Sequence, residues 1–513
     1  MPGPIRRALR HPRRAATLSL IALGIAATAG PGAASAADPG WTDRALALQE
    51  RLAGDVPLRD VPWVSTHNSY NSTAEMGTTL SALDPNQRLT VVEQLDAGVR
   101  HLEIDAHPAL APLPELGLPA PQSCHTICTL ERPLADVLAR VATWSRSRPD
   151  SVLLLYVETH LDSAAGPRGY DTAAGIVAAT LGDLVYRPPS AGARCDPLPR
   201  ELSRDRILES GRRVVIFGPC GQGKAWPSWS FDEADRLTAP DNAAFRPAAD
   251  CGPDFSRGQY DAFPVRYYED RTAVGALTGT GHTPIGPDLV RAMQRCGVDI
   301  IGFDHLLRDD PRRGALVWSW APGEPRPDHG SCAVQRADGR WAVRDCGVRR
   351  RVACRTADGA WTVPVGRLPR AVAQRACPPG ATHAVPRTAR EGGLLQDAMA
   401  AAGVDEAWVA HARRGTGWVR DERAGCTVGL LRPTGPLRVR HGRVRLRPMV
   451  GYPCTGESLR RRVMVTGGRR PLRVGTARGG RSVTVAVGPR VRRLRMSFVV
   501  DGRRRTATVA LRR

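Results

Sequence analysis

Between about Pro57 and Pro322, short β-branched apolar runs alternate with segments whose apolar residues recur at helical spacing, and this pattern constrains the fold more than any other feature. The strand candidates are Val61–Thr66, Gly98–Asp105, Ser151–Glu158, Arg213–Gly218, Val298–Phe303 and Ala315–Trp320. Between them, Leu134–Arg148 and Ala173–Leu184 carry the helical period, and Leu289–Cys296 follows a Pro-Asp start signal. Strand then helix, repeated over roughly 260 residues, predicts an α/β fold. A (β/α) barrel and a doubly wound sheet both satisfy it, and periodicity does not separate them.

At 513 residues the chain is too long for one ordinary domain, and an apolar content of 42% excludes disorder as a description of the whole. Residues 1–36 read as an export signal. Arg6, Arg7, Arg10, Arg13 and Arg14 precede an apolar run from Ala15 to Ala29, and Ala34-Ser35-Ala36 offers small residues at the cleavage spacing. The run is shorter than the roughly 18 apolar residues a membrane span needs. The mature protein is therefore expected to begin after Ala36 and to be secreted. Export makes the twelve cysteines disulfides rather than redox or zinc sites, and Cys124-His125-x-x-Cys128 a short disulfide loop.

Residues 37–325 are assigned to the α/β catalytic domain. Residues 326–430 have a different texture, rich in Gly, Pro, Cys and Trp, and read as a small disulfide-stabilised region. Residues 431–513 change again. Leu437-Arg438-Val439-Arg440 and Arg443-Val444-Arg445-Leu446-Arg447 alternate strictly, which predicts an antiparallel, sandwich-like β-domain with one Arg-rich face and one packed face. The net charge of +23 divides unevenly along these segments: Arg432 to Arg513 hold 23 Arg against Glu457 and Asp501. Ala37 to Leu431 is close to neutral, with 45 basic and 48 acidic residues. In an exported protein such a cationic domain is expected to meet an anionic membrane or cell-envelope polymer rather than nucleic acid.

Polar residues gather at the ends of the first predicted strands. The first ends in Thr66-His67-Asn68-Ser69-Tyr70, the second in Glu103-Ile104-Asp105 and the third in Glu158, with His125 in the loop between the last two. Side chains two apart on a strand share a face, so Glu103 and Asp105 project together. Barrel active sites lie at the C-terminal ends of strands, where these residues fall. Asn68, Glu103, Asp105 and Glu158 offer only oxygen, which suits calcium or magnesium rather than zinc. Histidine is the side chain best suited to proton exchange near neutral pH. A hard cation neutralising a phosphate oxygen, with two histidines beside it, describes phosphodiester cleavage. The G-x-S-x-G elbow that ester or peptide hydrolysis would use is absent.

Trp63-Val-Ser-Thr-His67-Asn68-Ser-Tyr70, Gly98-Val-Arg100-His-Leu-Glu103-Ile-Asp105, Cys124-His125 and Val152-Leu-Leu-Leu-Tyr-Val-Glu158 resemble the X-region of phosphatidylinositol-specific phospholipase C. The resemblance runs from about Pro57 to Trp320 and is carried chiefly by residues up to Glu158. It implies an irregular TIM (β/α) barrel. It also implies that Asn68, Glu103, Asp105 and Glu158 hold calcium while His67 and His125 flank the phosphate. Asp105 stands where calcium-independent bacterial members carry an arginine, so the resemblance is to the calcium-dependent type. The implied reaction is attack of the inositol 2-hydroxyl on phosphorus, releasing diacylglycerol and an inositol cyclic phosphate, with His125 as general acid and His67 as transition-state stabiliser. The general base is His67 or one of the carboxylates.

Two other readings stand beside this one. A glycerophosphodiester phosphodiesterase also sets Glu, Asp and His on a barrel, but its His-Arg and Pro-Glu-Asn signatures are absent. A noncatalytic envelope- or carbohydrate-binding protein would use the barrel as a scaffold. Val317-Trp318-Ser319-Trp320 through Cys332, Trp341, Cys346 and Cys354 loosely resembles the closing half of a C-type lectin-like domain, without an intact sugar motif. Gly218-Pro-Cys-Gly-Gln-Gly223-Lys224-Ala225 nearly spells a phosphate-binding loop. It lacks the final Ser or Thr and is followed by Pro227, so no nucleotide is expected, and the loop reads as one held by Cys220.

Overall fold

The computed structural model describes residues 39–76, 84–108, 121–124, 132–162, 167–189, 194–221, 223–232, 266–267, 284–298, 300–421, 429–431, 437–446, 449–451, 458–459, 461–466, 472–476, 483–500 and 503–512. The expected export signal and His125 lie outside them. Seven strands form one sheet: β1 Trp63–Thr66, β2 His101–Ala106, β3 Leu153–Thr159, β4 Val214–Gly218, β5 Phe231–Asp232, β6 Arg266–Tyr267 and β7 Ile300–Phe303. Every pairing between them is parallel, and the order across the sheet is β5-β4-β3-β2-β1-β7-β6. That order is the chain order read round a circle, with β1 beside β7. A doubly wound sheet would instead reverse direction part-way across. The sheet is therefore a (β/α) barrel, and its irregularity lies at the β5–β6 seam, where no ladder joins the edges among the described residues.

Strands β1 to β4 and β7 form where expected because their apolar runs are buried on both sides, whereas β5 and β6 are not among the expected strands. Helices α1 Pro39–Leu52, α2 Val91–Asp96, α3 Leu134–Ser147, α4 Pro167–Thr180, α5 Arg204–Glu209 and α6 Pro287–Cys296 accompany them. Thr90 and Glu93 make a reciprocal capping box that starts α2 immediately before β2. One side of the strands, with Leu102, Ile104, Leu155, Val157, Ile216 and Phe303, packs on the helices. The other side supplies the barrel interior: Trp63, Leu154, Tyr156, Val215, Phe217 and Ile300 form a separate apolar core. Further along the interior faces of β1, β2 and β3 the residues are polar, Ser65, Glu103, Asp105 and Glu158 among them, which is how an apolar-filled barrel acquires a polar mouth.

Ala315–Trp320 is not a barrel strand. Asp310 caps Arg312 and Pro311 opens helix α7, Pro311–Leu316, so Ala315 and Leu316 end a helix. Trp318 and Trp320 then pack into a second core with Trp341, Trp361, Leu395 and Val409. This second region is a mixed sheet around Glu406–Arg414, a three-stranded sheet and helix α8, Ala389–Ala401. Among the described residues its disulfides are Cys332–Cys346 and Cys354–Cys377. Trp320, Trp341 and Trp408 are fully buried, so they serve packing rather than sugar stacking.

The C-terminal residues form a seven-stranded and a three-stranded sheet. Val444, Leu446, Leu494, Met496 and Phe498 are buried, while Arg443, Arg445, Arg493 and Arg495 between them are exposed, as the alternation predicts. The glycine-rich loop after β4 is tied down by the disulfide Cys195–Cys220. A Cβ at Gly221 would collide with the Tyr170 ring, so close packing against α4 accounts for that glycine.

Candidate active site

Parallel register explains why the site residues meet. Thr66 pairs with Leu102 on one side and Phe303 on the other, which brings the next residues, His67, Glu103 and Asp304, to one level. Asp105 pairs with Glu158 one level higher. All five therefore project into the barrel mouth from strands β1, β2, β3 and β7. The turn after β1 is fixed by Ser69, whose amide donates to Glu103 O (2.9 Å) and whose hydroxyl accepts from Glu103 N (3.0 Å). Asn68 takes a left-handed conformation, φ 42°, which asparagine tolerates better than most residues. The buried Asn68 side chain is thereby turned into the mouth.

Three carboxylates converge there. Glu103, Asp105 and Glu158 each present an oxygen within 4.8 Å of the others, with Glu103 and Asp105 buried. Burial, and then the charges of Glu103 and Glu158, hold the Asp105 carboxyl well above the usual carboxylate range. The Asn68 side-chain oxygen lies 3.0 and 3.1 Å from the two Asp105 oxygens, acceptor against acceptor. Turning the amide over would make Asn68 a donor to Asp105 and an acceptor from His67 Nε2. The rotated orientation satisfies both Asp105 and a protonated His67. An all-oxygen set with excess negative charge fits a hard divalent cation.

His67 is held from its far side. Its Nδ1 lies 3.3 Å from Asp304 Oδ1, while Nε2 lies 3.2 Å from the Asn68 amide. Burial pulls the imidazole down, but the charge and hydrogen bond of Asp304, with Glu103 and Asp105 behind them, outweigh it and raise His67 to about 9. Asp304 itself is fully buried and accepts from Asn86 Nδ2 (3.4 Å) and Gln87 Nε2 (3.5 Å). Gln87 also donates to His67 O (2.7 Å) and Phe303 O (2.8 Å), tying the ends of β1 and β7 together. Asp304, Asn86 and Gln87 are absent from the site inferred from sequence. Asp304 directly follows a predicted strand, so the strand-end rule could have found it; Asn86 and Gln87 sit in a loop with no periodic signal.

Of the six residues inferred from sequence, the structure brings His67, Asn68, Glu103, Asp105 and Glu158 to one mouth. His125 follows the buried, disulfide-bonded Cys124 but lies outside the described residues.

A family model described as the Rv2075c PI-PLC-like domain matches residues 23–310, more than half of the chain. This chain belongs to that family. Within the Rv2075c PI-PLC-like family it is 38% identical over 398 residues to the uncharacterized protein Rv2075c of Mycobacterium tuberculosis (strain ATCC 25618 / H37Rv), covering 72% of this chain and 79% of that protein. The uncharacterized protein MT2135 of strain CDC 1551 / Oshkosh matches to the same extent. Among solved structures, the phosphatidylinositol-specific phospholipase C of Listeria monocytogenes aligns at 13% identity and a TM-score of 0.32, over 53% of this chain and 97% of its own. The phosphatidylinositol-specific phospholipase C of Staphylococcus aureus aligns at 12% identity and a TM-score of 0.35, over 52% of this chain and 95% of its own.

Proposed function

We propose that this protein is a secreted, calcium-dependent phospholipase C that cleaves the glycerol–phosphate bond of phosphatidylinositol or a related phosphodiester lipid. The observation that carries this reading is the convergence of His67 with an all-oxygen, electron-rich cluster at the mouth of a barrel of the PI-PLC-like family. Asn68, Glu103, Asp105 and Glu158 are the residues that would hold calcium. When bound, that cation offsets negative charge on a phosphoryl oxygen.

The chain's own residues handle protons and charge. His67 donates its Nδ1 proton to Asp304, which fixes the ring and leaves Nε2 directed towards Asn68 and the carboxylates. Held protonated, it stabilises charge developing on the phosphoryl group. Asp304 is a positioning residue, because it reaches the reaction only through His67. In the reaction the inositol 2-hydroxyl attacks phosphorus and gives its proton to a carboxylate of the cluster, because His67 is held protonated. The bond from phosphorus to the glycerol oxygen breaks, and that oxygen takes a proton from His125, assigned as general acid on its Cys124-His125 motif. The products are diacylglycerol and inositol cyclic phosphate. The exposed arginines of residues 431–513, among them Arg438, Arg440, Arg443 and Arg445, would hold the enzyme on an anionic membrane or envelope surface.

The test is incubation of the mature protein with phosphatidylinositol vesicles and calcium, followed by detection of both products. His67→Ala and His125→Ala should each lower turnover by about 100-fold or more. A variant with near-normal turnover would remove that histidine from the mechanism, and absence of either product from the wild type would refute the reading.

A further inference from the structure

Above the three carboxylates, the same interior face continues and its chemistry changes. His107 lies two residues past Asp105, and His160 two past Glu158. The register that pairs Asp105 with Glu158 and Ala106 with Thr159 runs on to set the two histidines side by side. His160 N donates to Ala106 O and His107 N to Gln122 O, both at 2.9 Å, so both backbones are pinned. The imidazole rings stack, with centroids 4.2 Å apart and planes 19° apart. Asp105, His107 and His160 each present a ligand atom within 4.8 Å of the other two. His160 Nε2 also lies 3.4 Å from Glu158 Oε1.

Two imidazoles and one carboxylate are a different donor set from the four oxygens beneath. Imidazole nitrogen suits first-row metals such as zinc, whereas calcium and magnesium take oxygen. Three protein ligands with a fourth position left to water or substrate make up the usual composition of an open zinc site.

We propose that Asp105, His107 and His160 form a second divalent-cation site, of zinc class, which shares Asp105 with the all-oxygen cluster. The two sites together make a graded centre, hard oxygen donors at depth and nitrogen donors at the rim. This inference rests on the nitrogen donors and stands whether or not the oxygen cluster holds calcium.

The experiment is equilibrium dialysis of metal-free, tag-free mature protein against zinc, with the visible absorption of added cobalt as a second readout. The wild type should bind one zinc ion per chain and give a cobalt spectrum with nitrogen ligation. His107→Ala combined with His160→Ala should weaken zinc by more than the ~10–100-fold that loss of a second-shell partner costs. His160→Asn alone should also weaken it, by about 10-fold or more on the same scale. That side chain is 41% exposed, so the variant is expected to fold, and circular dichroism checks that it does. Glu103→Gln should lose calcium and keep zinc. Failure to cleave phosphatidylinositol with zinc binding intact would overturn the proposed function and leave this inference standing. No zinc bound by the wild type, or unchanged zinc affinity in either histidine variant, would overturn the inference.

Discussion

Asp304→Asn isolates the interaction that sets the state of His67. In the wild type, Asp304 Oδ1 and Oδ2 stand 3.3 and 3.5 Å from His67 Nδ1. Burial alone would lower the imidazole, yet Asp304 and the more distant carboxylates raise it from 6.5 to about 9. That rise corresponds to about 3 kcal/mol in favour of the imidazolium. Asparagine keeps the shape of Asp304 but removes its charge, so burial should win and return His67 to its ordinary value or below. The assay is a carbon-detected histidine titration on metal-free protein, with His67 assigned by its loss in His67→Gln. Wild-type His67 should stay protonated to about pH 9, and the variant should titrate about two pH units or more lower, by the same charge argument. Turnover on phosphatidylinositol should fall about 100-fold, with KM little changed, because the interaction acts in the transition state. The alkaline limb of the rate profile should move to lower pH with the titration. An unchanged His67 titration in Asp304→Asn would refute the electrostatic account, and an unchanged rate would remove His67 as a stabilising cation.

His411, packed among Trp320, Trp341 and Trp418, is lowered to about 3 chiefly by burial, then by Arg370. The folded state thus refuses a proton that the unfolded chain accepts below pH 6.5. Stability should be intact above that pH and decline by about 1.4 kcal/mol per pH unit below it, from this residue alone; urea midpoints between pH 7 and 4 should show a shallower slope in His411→Gln, and an equal slope would count against the assignment. Gly221→Ala forces a Cβ into the Tyr170 ring and should cost about 1–3 kcal/mol of stability, read by chemical denaturation; a neutral effect would mean that the loop is looser than described. Deleting residues 432–513 should reduce binding to anionic vesicles, most strongly at low salt where screening is weak; unchanged cosedimentation at low salt would leave the 23 arginines of that segment without a membrane role.

The sequence exposed the barrel where strands are apolar throughout, as in Leu153–Thr159 and Val214–Gly218, because burial on both faces leaves an uninterrupted run. Periodicity could not distinguish a barrel from an open sheet, since β1 pairing with β7 is a long-range fact that no local pattern encodes. Ala315–Trp320 misled because Trp-Ser-Trp alternates like a strand, while the start signal Asp310-Pro311 five residues earlier decides for helix. Helix α8 was hidden by Gly392-Gly393, which weaken a helical pattern. There a Cβ on Gly393 would press on Arg295 of helix α6 at 2.9 Å, so the glycines permit close approach. The site was legible as far as chemistry concentrated at strand ends, namely His67, Asn68, Glu103, Asp105 and Glu158. Asp304 stands at a strand end as these do, but its role shows only through His67, its neighbour across the sheet.

The most direct measurement is turnover of phosphatidylinositol by the protein in excess chelator, then with calcium restored stepwise. No cyclic inositol phosphate should form in chelator and calcium should restore it fully, with Glu103→Gln and Asp105→Asn each requiring more calcium for half recovery. Full turnover in excess chelator would contradict the calcium assignment.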